Sequence, residues 1–214
     1  MPLLNVVIDL YHGDEVDDSN GFHAIRESGI LAVIHKATDG VARIDETYIA
    51  RRRRAKSVGL LWGSYHFGRH GSPVHQADHY LSVVDPIDGE LICLDFEAQE
   101  GEPPMTRAEA EAFVERVNDR AGRYPTLYTG QAFIHETLGD TPPEETALAR
   151  CPLWIARYSQ HAPELPPAFA TYVLWQYTGD GQGPGPHTVP GVGNSVDRSK
   201  FNGTPESMRA FWGT

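Results

Sequence analysis

Short apolar runs recur along this chain, and almost every one ends by releasing a polar or aromatic side chain. They lie near residues 6–10, 30–36, 60–66, 90–95, 125–129, 152–156, 172–176 and 195–199. Runs this short, bounded by Gly, Pro or charged residues, read as strands buried on both faces. The first five alternate with segments of helical spacing, whereas the last three are joined by Gly- and Pro-rich stretches. Strand–helix alternation implies parallel strands with right-handed crossovers, and eight such strands close into a barrel. The expected fold is α/β: an irregular, TIM-like eight-stranded β/α barrel with few helices in its second half. Residues 1–214 are expected to form a single catalytic domain, with no internal repeat or linker.

Several helices are marked by their ends. Thr106 and Glu109 form a capping box ahead of Ala110, Phe113, Val114, Val117 and Ala121, with Gly122 as the stop. Ser72 and Pro73 are residues of a helix start, followed by Val74, Ala77, Leu81 and Val84 at helical spacing. A helix is predicted over 45–58, stopped by Gly59, and a closing helix over 205–212. The four consecutive arginines at 51–54 wrap around the first of these, so at least one must lie near its buried side. The rest read as a solvated face, because the formal net charge of −11 argues against nucleic acid as a partner. No stretch reaches the ~18 apolar residues of a membrane helix. The first residues lack a basic n-region and their apolar run stops at Asp9, so they read as a strand and not a signal peptide. Cys93 and Cys151 are the two cysteines, too few for a disulfide framework, and are expected as buried free thiols.

The released residues include Asp9, Lys36, His66, Asp95, Glu97, Tyr128, Arg157, Gln176 and Asp197. In a parallel barrel these strand ends meet at one face, where active sites are built. Acids from the first, fourth and eighth strands would then converge across a cleft. Clustered carboxylates suit glycoside cleavage, which needs one protonated carboxyl at the glycosidic oxygen and a negative group near the oxocarbenium-like centre. Repulsion and burial hold one acid protonated while another stays ionised. Tyr65, Phe67, Tyr128, Trp154, Trp175 and Tyr177 suit stacking on sugars, whereas Trp62 reads as barrel filling. Two other readings use the same residues: a metal-dependent phosphodiesterase-type hydrolase, and a catalytically inactive glycan-binding barrel. The pairs His66/His70 and His75/His79 have i, i+4 spacing, but no His-Glu-x-x-His motif accompanies them. No metal and no cofactor is expected.

Taken in order, Ile8-Asp9, Lys36-Ala-Thr-Asp-Gly40, Gly63-Ser-Tyr-His-Phe67, Leu94-Asp-Phe-Glu97, Leu127-Tyr-Thr-Gly130, Leu153-Trp-Ile-Ala-Arg-Tyr158, Leu174-Trp-Gln-Tyr-Thr178, Val196-Asp197 and Phe201-Asn-Gly203 resemble a family 25 glycoside hydrolase. These are the Chalaropsis-type lysozymes, or N-acetylmuramidases. The resemblance implies cleavage of the β-1,4 bond between N-acetylmuramic acid and N-acetylglucosamine in peptidoglycan. It implies Glu97 as general acid, Asp95 as its partner in stabilising charge or orienting the N-acetyl group, and Asp9 and Asp197 as flanking acids. The residues expected to bind substrate are Lys36, Tyr65, His66, Phe67, Tyr128, Trp154, Arg157, Trp175 and Gln176. Made in the cytoplasm, such an enzyme would act at the cell wall after holin-assisted release or export by a specialised secretion machine, the latter with an immunity protein. The chain departs from the family pattern at Leu10-Tyr11-His12-Gly13, at His35, at Phe96 and at Arg198, which is placed to pair with Asp197 and depress its pKa.

Overall fold

A computed structural model describes residues 3–98 and 101–213. Eight strands close into a barrel: β1 (Val6–Leu10), β2 (Ala32–Asp39), β4 (Leu61–Phe67), β5 (Glu90–Asp95), β6 (Thr126–Gly130), β7 (Leu153–Ala156), β8 (Leu174–Thr178) and β9 (Asp197–Phe201). A two-residue strand, β3 (Arg43–Ile44), folds back antiparallel on the end of β2, a hairpin that the sequence pattern does not announce. Five helices sit between the first strands: α1 (Gly21–Glu27), α2 (Tyr48–Ser57), α3 (Pro73–Val84), α4 (Arg107–Ala121) and α5 (Gln131–Leu138). The last, α6 (Pro205–Trp212), follows β9.

Side chains alternate across each strand. Val7, Ala32, Ile34, Leu91, Cys93, Trp154 and Leu174 form the barrel interior, closed at the bottom by Met208 and Trp212 of α6. Ile8, Val33, Trp62, Ile92 and Leu94 point the other way, into a larger core shared with Ile25, Ala55, Tyr80 and Phe113 of the helices. Trp62 therefore does not fill the barrel; it packs outside it, against Tyr48 of α2 and stacked on His35.

The expected all-parallel barrel fails at one strand. β9 runs antiparallel to both β8 and β1, while the other neighbours in the ring are parallel. A parallel continuation needs a crossover that returns the chain to the opposite end of the barrel, usually a helix. The 179–196 connection forms no helix, stays at the C-terminal face, and lets the chain descend as β9. Asp197 thus opens its strand instead of ending it, and still reaches the same face.

The capping box of α4 forms as expected, with Gly122 in the left-handed conformation at its end. α3 differs. Ser72 sits at φ 50° and makes no side-chain cap, Val74 is exposed, and the buried face is Gln76, Ala77, Tyr80 and Val84. Both cysteines are buried and free.

Candidate active site

A cleft of about 560 Å³ opens at the C-terminal face of the parallel strands. Asp9 comes from β1 and Asp197 from the start of β9, and the two are direct antiparallel partners. That register sets their Cα atoms about 4.5–5.5 Å apart. Across the barrel, β5 ends at Asp95. The N–H of Phe96 then donates to Tyr128 O at 2.9 Å, and the Phe96 ring turns into the outer core against Phe133. Because Phe96 faces outward, its neighbours Asp95 and Glu97 both face the cleft.

The acids are held differently. Gln176 Nε2 donates to both Asp9 oxygens, at 3.1 and 3.0 Å, and to Asp197 Oδ2 at 3.4 Å. The amide is oriented by Tyr128, whose hydroxyl donates to Gln176 Oε1 at 2.7 Å. Asp197 Oδ1 accepts the Asp180 N–H at 2.9 Å. Asp95 Oδ1 is buried and has no hydrogen-bond partner among the described residues.

Burial and mutual repulsion dominate the electrostatics. Burial, then the Asp180 charge, push Glu97 up to about 7, with Lys36 pulling the other way and Asp197 adding to the rise. Burial lifts Asp197 to about 6 against the pull of the Asp180 N–H. Asp95 is pushed well above the usual carboxylate range by burial and by Glu97, and Asp9 by burial and by Asp197. Each of the four carboxyls is therefore harder to ionise than an exposed acid.

Lys36, Tyr65, Phe67, Tyr128 and Trp154 line the cleft, as their strand-end positions predict. Lys36 Nζ lies 4.5 Å from the Phe67 ring centroid and 3.2 Å from Asp39 Oδ2. Tyr128 and Trp154 meet edge to face, with centroids 4.7 Å apart.

Four expected substrate contacts are placed elsewhere. His66 is fully buried on the outer face of β4, bonded to Thr38 Oγ1 and Gln76 Oε1 and stacked on Phe113. Strand alternation sends it outward where Tyr65 and Phe67 point in. Arg157 turns to Ala162 O and Glu164. Trp175 is buried outside the barrel wall, its Nε1 donating to Arg157 O. Gln176 is 1% exposed and acts on the acids. Nor does Arg198 pair with Asp197. Its guanidinium donates to Tyr177 Oη at 3.0 Å and Thr188 O at 3.1 Å, so it does not depress Asp197.

Tyr11, Asp14, Tyr158, Asp180, Asn194 and Ser195 also line the cleft, and the strand-end pattern does not single them out as site residues. Most sit in loops, where period-based reading has no purchase. The Gly-rich composition of 179–193 was the available signal: a Cβ on Gly179 would fall 2.6 Å from Cζ of Tyr158, so glycine lets that ring close over the turn carrying Asp180. Asn194 Nδ2 donates to Asp14 Oδ1 at 2.9 Å, tying the two rim loops together. Among the described residues, no group of three or more His, Cys, Asp or Glu is arranged to hold a metal ion.

Comparison with known proteins places this geometry. The chain is 29% identical over 197 residues to the autolytic lysozyme of Clostridium acetobutylicum, covering 91% of this chain and 55% of that protein. It is 28% identical to lysozyme M1 of Streptomyces globisporus, covering 90% of this chain and 67% of the relative. The chain thus spans little more than half the length of the first of these. The crystal structure of a bacterial lysozyme from Streptomyces coelicolor superposes with a TM-score of 0.84 at 25% identity, covering 100% of this chain and 98% of that one. A muramidase from Trichobolus zukalii gives 0.79 at 27%, covering 96% and 97%. Residues 8–186 match the model for glycosyl hydrolases family 25, and the chain belongs to that family.

Proposed function

We propose that this glycoside hydrolase is a peptidoglycan muramidase, cleaving the β-1,4 bond between N-acetylmuramic acid and N-acetylglucosamine with Glu97 as general acid. One observation carries the assignment of the acid: Glu97 opens onto the cleft with its carboxyl raised to about 7, so about half the molecules hold a proton to give at neutral pH and most do in mild acid. The glycosidic oxygen takes that proton as the C1–O bond breaks, and positive charge builds on the sugar ring. Asp9 and Asp197, side by side on β1 and β9, supply the facing negative group once ionised, with Gln176 and the Asp180 N–H stabilising that form. Asp95, buried beside Glu97, shares its proton load and steadies charge or the N-acetyl group. Lys36, Tyr65, Phe67 and Tyr128 bind the glycan, and Trp154, 2% exposed, supports Tyr128 from the floor of the cleft. The names of the relatives support peptidoglycan as the substrate. The site of action is the bacterial cell wall, reached by holin-assisted release or by a specialised secretion machine with an immunity partner.

The test is digestion of purified peptidoglycan followed by mass spectrometry of the fragments. New reducing ends on N-acetylmuramic acid are expected. Glu97→Gln keeps the shape and removes the proton, and is expected to lower kcat by at least about 10²-fold. Reducing ends on N-acetylglucosamine, or a Glu97→Gln variant working at the parent rate, would overturn the reading.

A further inference from the structure

One member of the arginine run leaves the solvated face of α2. Arg51 is buried, and its guanidinium reaches the turn that follows β1. Nη1 donates to Tyr11 O and Nη2 to Asp14 O, both at 2.7 Å. Nη1 also donates to His35 Nε2 at 3.1 Å, and His35 Nδ1 donates to Lys36 O at 2.7 Å. Those partners require the neutral tautomer with Nε2 as acceptor. From the residues just before α2, Asp45 Oδ2 takes the His12 N–H at 2.8 Å. The turn 11–14 is therefore gripped by a buried cation on two carbonyls and by a carboxylate on an amide. A buried guanidinium is costly to desolvate, and apolar packing alone would hold a helix against a loop. What the charged clamp adds is a defined orientation of the turn.

That turn presents Tyr11 at the rim of the cleft, 44% exposed. The ring lies over Gly13, where a Cβ would sit 2.6 Å from Tyr11 Cε2. An exposed aromatic face beside an acid-lined cleft suits the apolar face of a sugar ring.

We propose that Tyr11 stacks on a sugar of the bound glycan and that Arg51 is the positioning residue that holds it there. The proposal rests on the glycan substrate argued above. Its test is steady-state release of reducing ends from soluble peptidoglycan fragments, with hydrogen–deuterium exchange of the 11–16 amides alongside. Tyr11→Ala is expected to raise KM about ten-fold with kcat nearly unchanged, the signature of lost uniform binding. Arg51→Met should raise KM in the same way and speed exchange in 11–16, and Arg51→Lys should restore part of both. The double variant Arg51→Met/Tyr11→Ala should be no worse than Tyr11→Ala alone, because both remove one contact. Should Arg51→Met not fold, Gly13→Ala displaces the ring with the clamp intact and should reproduce the KM effect. An unchanged KM in Tyr11→Ala, multiplying effects in the double variant, or unchanged exchange in Arg51→Met would overturn the proposal. If the parent released no reducing ends, the muramidase reading would fall with the sugar contact, and the exchange data would decide the clamp alone.

Discussion

At the scale of single residues, the site works by making ionisation hard. Glu97 carries its proton to about 7, whereas an ordinary glutamate loses it near 4.5. The folded state therefore binds this proton more tightly than the unfolded chain. Stability falls as pH rises from 4.5 toward 7 and levels off above, by about 3 kcal/mol for this group. Glu97→Gln removes that penalty. It is expected to raise Tm at pH 8 and to leave Tm nearly unchanged at pH 4, a comparison that thermal unfolding makes directly. The same titration predicts that the parent's kcat/KM declines on the alkaline side with a midpoint about 7. A parent profile flat through pH 8 would break the link between this proton and the reaction. Residue identity alone could nominate Glu97 and Asp95 as acids at a strand exit. Their protonation could not be read there, because it depends first on burial by the folded barrel, and then on charges far away in the chain, Asp180 for Glu97 and Lys36 for both.

At the scale of elements, what was legible depended on whether the signal was local. α4 is predicted closely because its cap, its apolar stripe and its stop all lie within 106–122. The capping bonds join Thr106 Oγ1 to the Glu109 N–H at 3.3 Å and the Glu109 carboxylate to the Thr106 N–H at 2.7 Å. Thr106→Ala is therefore expected to cost about 1 kcal/mol in denaturant unfolding, with activity at 25 °C retained. An unchanged midpoint would show that the cap contributes nothing to the fold. Strand direction had no such local mark. The run near 195–199 looked like the runs before it, and only the helix-free path of 179–196 made β9 antiparallel. Position near a strand end predicts His66 and Trp175 in the cleft, yet alternation within the strand sends each to the outer face. A shift of one residue decides between the two faces, and the apolar runs here lack the alternation that would tell them apart.

At the scale of the whole molecule, closure of the barrel makes the site. Asp9 and Asp197 stand 188 positions apart in sequence and become neighbours only because β9 returns to β1. The opposite end must be sealed for the ring to hold. Trp212 of α6 does this, fully buried, with Nε1 donating to Trp62 O at 2.9 Å. Trp212→Ala opens a large cavity there and is expected to lower stability by about 3–5 kcal/mol, read as a drop in Tm. A loss below about 1 kcal/mol would mean that the end of the barrel closes without it. By itself the sequence determined the number of barrel strands, the face where their ends gather and the acids available to the chemistry, because apolar periodicity and strand-end polarity are written locally. The tertiary structure alone decided that β9 descends, that Gln176 orients Asp9, that Arg51 grips the rim and that Glu97 keeps its proton. Each of those depends on distances between residues remote in sequence, which no local pattern encodes.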